Sequence, residues 1–104
     1  TYSIKGLVNK GLINSLKDIS NFVVLYGSVA KGLDDKKSDF DLLIISSRKK
    51  EVSDILLDLE KKFNRNINSH IFSFAEWEKQ KKDNKAFYQE IISTGINLIG
   101  EIPV

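Results

Sequence analysis

Two short apolar runs constrain this chain most: Phe22-Val23-Val24-Leu25-Tyr26 and Phe40-Asp41-Leu42-Leu43-Ile44-Ile45. Both are rich in β-branched and aromatic residues, so both read as strands. The first has no polar position to turn toward water and reads as a strand buried on both faces. Such strands need partners that cover them. Ile4, Leu7, Val8, Leu12, Leu16 and Ile19 recur at steps of three and four, the period of an amphipathic helix. Gly6 and Gly11 weaken that helix. Val52, Ile55, Leu56, Leu59 and Phe63 mark a second long helix, with Ser47 as its expected cap. The expected order is helix, strand, helix, strand, helix, strand, helix, helix, strand. Strands alternating with helices imply an α/β (α+β) fold, a small mixed β-sheet with helices packed on it.

Punctuation sets the remaining boundaries. Gly27 ends the first strand, and Ser28-Val29-Ala30 begins a short helix that Gly32 closes. Leu33 to Ser38 is a charged loop. Ile67 to Phe74 reads as a third strand. Ser73-Phe74-Ala75-Glu76 has the capping-box form, so a helix carrying Trp77 starts there. Phe87, Tyr88, Ile91 and Ile92 give a last helix that stops at Gly95, and Ile96 to Ile99 a final strand. Trp77, Phe87 and Tyr88 read as packing residues, and the lysine clusters as solvated helix faces.

With 104 residues, one domain over 1–104 is expected. The chain starts at Thr1 and has no methionine, so a place within a longer protein stays open. No apolar run is long enough for a membrane span and the start has no signal-peptide pattern, which makes the cytoplasm the default location. A net charge of +2 does not by itself argue for nucleic acid. Without cysteine there is no disulfide and no thiolate metal site. Any metal would be held mainly by oxygen, which favours magnesium, manganese or calcium.

One feature works against simple folding. Asp39 and Asp41 stand at the start of the second strand, where two like charges on one side repel and resist desolvation. In a strand, residues two apart point the same way, so both carboxylates face one place while Phe40 faces the core. Such a pair can bind one or two divalent cations through hard oxygen ligands. The Gly27-Ser28 turn supplies a complement: Gly27 allows close backbone approach, and amides at a helix start attract anions. A phosphate cradle beside a carboxylate pair suggests a metal-bound polyphosphate.

Gly27-Ser28, ten intervening residues, then Asp39-Phe40-Asp41-Leu42 resembles the signature of the DNA polymerase beta-like nucleotidyltransferase superfamily. The runs from Tyr26 to Gly32 and from Ser38 to Ile44 look like its small prokaryotic minimal nucleotidyltransferase branch, as does the stretch from Ile67 to Gly100. The resemblance implies that ATP binds as a complex with Mg2+ or Mn2+. It implies that Gly27, Ser28 and Lys31 hold the nucleotide's phosphates, with Lys36 or Lys37 adding charge. It implies that Asp39 and Asp41 are the catalytic, metal-holding pair, and that a nucleoside monophosphate is transferred. Family members usually carry a third carboxylate on the strand after the long helix. Here Asn66 to Phe74 contains no acid, and Asn68 or His70 would take that position. Glu76 lies just beyond, tied to its capping box. Two functions follow. One is a metal-dependent nucleotidyltransferase moving AMP from ATP to a hydroxyl of a protein or small molecule. The alternative is a catalytically weakened nucleotide-binding antitoxin, partner of a HEPN-domain toxin.

Overall fold

The two apolar runs lie side by side in the middle of a four-stranded sheet. The computed structural model describes residues 4–30 and 39–103. In chain order the elements are α1 (Ile4–Leu16), β1 (Phe22–Tyr26), α2 (Gly27–Ala30), β2 (Phe40–Ile45), α3 (Lys49–Phe63), β3 (Ile67–Phe72), α4 (Phe74–Asp83), α5 (Lys85–Thr94) and β4 (Ile96–Ile99). The strand order is β3-β2-β1-β4. β1 runs antiparallel to β2 and to β4, while β3 runs parallel to β2, as the long crossover through α3 allows. The sheet is therefore mixed, as the sequence implies.

Strand alternation divides the core in two. Val23, Leu25, Phe40, Leu42 and Ile44 face one side and pack with Val8, Leu12 and Leu16 of α1 and Val52, Leu56 and Leu59 of α3. Val24, Tyr26, Leu43 and Ile45 face the other and meet Trp77 of α4 and Ile91 of α5. Both central strands are thus covered on both faces. Each fully buried aliphatic side chain contributes about 1.5–3 kcal/mol, so a one-residue slip of β1 or β2 would reverse every one of these placements. No helix among the described residues is long and apolar enough to cross a membrane.

Several boundaries move by one or two residues, each for a local reason. The N-cap of α3 is Arg48, not the expected Ser47, and no side chain caps the helix; Ser46 instead ties down the turn before it. The Ser46 hydroxyl accepts the Arg48 N–H at 2.9 Å and donates to the Ile19 carbonyl, and its side chain is buried where β2 ends. β3 stops at Phe72 because Ser73 is the N-cap of α4. Ser73 Oγ accepts the Glu76 N–H at 3.2 Å, and Glu76 Oε1 accepts the Ser73 N–H at 2.8 Å. Gly95 does end α5, but at φ −68°, outside the left-handed region. Glycine is needed there for space: a Cβ would lie 2.3 Å from the Ile91 carbonyl oxygen and 2.7 Å from Val24 Cγ1. Gly32, the charged loop to Ser38, and Lys31, Lys36 and Lys37 lie outside the described residues.

Candidate functional site

Asp41 is the second residue of β2 and sits between two neighbours in register, Tyr26 on β1 and Asn68 on β3. Phe40 is fully buried on the opposite face, so Asp41 projects to the α4–α5 side of the sheet. Asp39 immediately precedes the strand, and both aspartates are half-buried. Their carboxylates meet at a single side chain. The Asn68 carboxamide donates to Asp39 Oδ2 at 3.0 Å and to Asp41 Oδ1 at 3.3 Å.

Of the two residues expected opposite the aspartates, Asn68 is the one in place. His70 pairs with Leu43 further along the strands. Its exposed ring stacks on Phe72 with centroids 6.1 Å apart and tilts against Phe87 at 5.0 Å. Glu76 stays with its capping box and also pairs with Lys49. Those hydrogen bonds hold its carboxyl down at a pKa of about 2.

Gly27 completes the geometry from the β1 side. Its φ is +77°, a conformation that disfavours any Cβ. A Cβ there would also lie 2.5 Å from Asp41 Oδ2. The group that approaches the Gly27 backbone so closely is therefore the Asp41 carboxylate. Beyond Gly27, the Ser28 side chain is exposed at the start of α2, while Val29 is buried and anchors that single turn in the core.

Two further residues belong to this environment without having been singled out in the sequence. Thr94, the last residue of α5, accepts the Gly27 N–H on its hydroxyl oxygen at 3.4 Å and donates to the Glu90 carbonyl at 2.8 Å. It is 67 positions from Gly27, so only the packing of α5 on the sheet reveals it. Tyr26 is buried beside Asp41, with its ring edge toward Phe87 at 5.6 Å. Burial pushes its phenol up to a pKa of about 12, and the charges of Asp41 and Glu90 add to the shift.

The donor set fits a hard divalent cation. Two carboxylates converge, a carboxamide oxygen is available on the same side chain that now bridges them, and the half-buried setting leaves water to complete a coordination sphere. Among the described residues, no group of three or more His, Cys, Asp or Glu is placed to hold a metal. The acidic contribution is thus the Asp39–Asp41 pair.

The turn at Gly27-Ser28 thus lies beside two converging aspartates at the start of the adjacent strand. Residues 10–95 match the family model described as "Nucleotidyltransferase domain". The chain belongs to the nucleotidyltransferase domain family. No curated protein matches the sequence. Among solved structures, this nucleotidyltransferase domain is similar to a toxin–antitoxin crystallised with AMP-PNP, at a TM-score of 0.65 and 15% identity, covering 89% of this chain and 73% of that one. A MntA–HpeT toxin–antitoxin mutant with two Asp-to-Glu replacements gives a TM-score of 0.63 at 12% identity, with the same coverage of 89% and 73%. A protein from Shewanella oneidensis gives 0.53 at 11% identity, covering 94% of this chain and 71% of that one. At these identities the likeness is one of fold.

Proposed function

We propose that this domain is a metal-dependent nucleotidyltransferase that moves AMP from ATP to a hydroxyl of a protein or small-molecule acceptor. The observation that carries this reading is the convergence of Asp39 and Asp41 on one amide, against the Gly27 backbone and beside the exposed Ser28. Asp39 and Asp41 would hold Mg2+ or Mn2+, which when bound supplies positive charge for the phosphates and the acceptor oxygen. Ser28 donates its hydroxyl to the terminal phosphates, and Lys31 adds charge beside them. The absence of a side chain on Gly27 lets the Asp41 carboxylate and the phosphates share one small space. In the transfer the acceptor oxygen bonds to the α-phosphorus, its proton passes to solvent water, and the bond from the α-phosphorus to the bridging oxygen breaks, so that pyrophosphate leaves with that electron pair. Residues 1–104 act in this as a single domain working in the cytoplasm.

Asn68 favours a second reading. It places a neutral amide against the carboxylate pair, and among the described residues no third acid joins them. A domain of this kind can hold a nucleotide with weakened turnover, and the likeness to toxin–antitoxin structures supports an antitoxin that pairs with a toxin; in this reading the toxin is a HEPN-domain protein. One experiment separates the readings. The protein is incubated with α-labelled ATP, Mg2+ and cell extract as acceptor source, alongside Asp39→Asn. Label transferred by the wild type and lost in the variant supports the enzyme. Retained ATP binding without transfer supports the binding protein. Neither binding nor transfer, with any nucleoside triphosphate, overturns both.

A further inference from the structure

The Asn68 carboxamide does something that a metal ligand cannot do in the same orientation. Its Nδ2 hydrogens point at Asp39 Oδ2 and Asp41 Oδ1, which places a neutral dipole where a cation would neutralise the pair. An N–H turned toward a cation repels it. The same side chain rotated by half a turn about its last torsion presents Oδ1, a hard oxygen that calcium and magnesium sites accept from Asn. Asn68 is solvent-exposed, which leaves its terminal torsion room to turn. No cluster of three or more acids, histidines or cysteines stands ready to replace it among the described residues.

We propose that Asn68 is an amide switch: with its nitrogen toward Asp39 and Asp41 it holds the two carboxylates together without a cation, and with its oxygen toward them it becomes the third protein ligand of a divalent ion. The inference rests on the metal site proposed above and adds a role that the carboxylate pair alone does not define. In the cation-free state the amide offsets the repulsion between the aspartates and keeps their oxygens converged, so little rearrangement precedes binding. In the bound state the ligand set carries two negative charges plus a neutral oxygen, which matches one divalent ion.

The test uses the full chain and Mn2+ or Mg2+ alone, without nucleotide. Mn2+ is titrated into wild type, Asn68→Leu and Asn68→Asp and followed by electron paramagnetic resonance, with circular dichroism to confirm folding. Wild type should bind one Mn2+ per chain. Asn68→Leu should bind about tenfold more weakly and melt lower in chelator. Asn68→Asp should bind more tightly, through its added charge, and should gain more thermal stability from the ion. A second readout follows the Asn68 carboxamide NH2 resonances by NMR as diamagnetic Mg2+ is added. They should shift as both hydrogen bonds to the aspartates are lost. Equal Mn2+ affinity in wild type and Asn68→Leu, or carboxamide resonances unmoved by saturating Mg2+, would overturn the switch and leave the metal site standing. No Mn2+ binding by any of the three proteins would overturn the site itself, and the switch with it.

Discussion

Replacing Gly27 with alanine should damage fold and site together, by amounts that the local geometry sets. At φ +77° an L-residue is strained, at a cost of about 1–2 kcal/mol. The new methyl would also lie 2.5 Å from Asp41 Oδ2, where ordinary contact begins at 3.4 Å. Gly27 is fixed between β1 and the buried Val29, so the carboxylate gives way, by roughly 1 Å. For a domain of this size the strain alone corresponds to a fall in Tm of roughly 5–15 °C. A displacement near 1 Å of a positioned group costs on the order of a hundredfold in reaction rate, and a carboxylate moved that far should also weaken its hold on Mg-ATP. Thermal unfolding should show the first loss, and calorimetric titration of Mg-ATP, at a temperature where the variant is folded, the second. Gly11→Ala is the control. Its Cβ would meet the Phe63 ring at 3.0 Å, far from the aspartates, so nucleotide affinity should not change. Gly27→Ala with wild-type affinity for Mg-ATP would refute the claim that the Asp41 carboxylate needs this close approach.

Three other substitutions probe the frame around the site. Trp77 is fully buried between α4 and the sheet, and its indole N–H donates to the Pro103 carbonyl at 3.2 Å; Trp77→Ala should lose about 3–5 kcal/mol in urea unfolding. Tyr26 has a folded pKa of about 12 against an ordinary 10.0, so its stabilising effect is complete below pH 10 and is lost as pH rises through 12. Tyr26→Phe should therefore flatten the loss of stability across that alkaline window. Glu76 is shifted the other way, to about 2 from 4.5, so its contribution is present above pH 4.5 and disappears as pH falls toward 2. Glu76→Gln should make acid unfolding shallower over that range.

The sequence was most legible where burial alone decides structure. Both central strands begin and end where their apolar runs do, because every position in them has a buried use except Asp41 and the partly covered Phe22. The capping box at Ser73 was equally plain, since its two hydrogen bonds are local. What local rules could not supply was competition between them. Ser73 both continues an extended pattern and caps a helix, and the cap wins, which shortens β3. Ser47 is exposed and does not cap α3, which starts after Arg48 without a side-chain cap, while Ser46 turns inward at the strand end. For the site, alternation was enough to aim Asp39 and Asp41 at one place and Phe40 away. The choice of Asn68 over His70 depended on the parallel register of β3 with β2, which no local pattern encodes. The role of Thr94 depended on how α5 packs beside β1.

The central claim is that Asp39 and Asp41 hold a cation which in turn holds a nucleotide. Its most direct test is calorimetric titration of ATP into wild type and Asp41→Asn, each with Mg2+ and with chelator. Wild type should bind ATP only in the presence of Mg2+, and Asp41→Asn should bind at least about tenfold more weakly, since one charged ligand of the cation becomes neutral. Equal binding by the two proteins, or wild-type binding untouched by chelator, would contradict the claim.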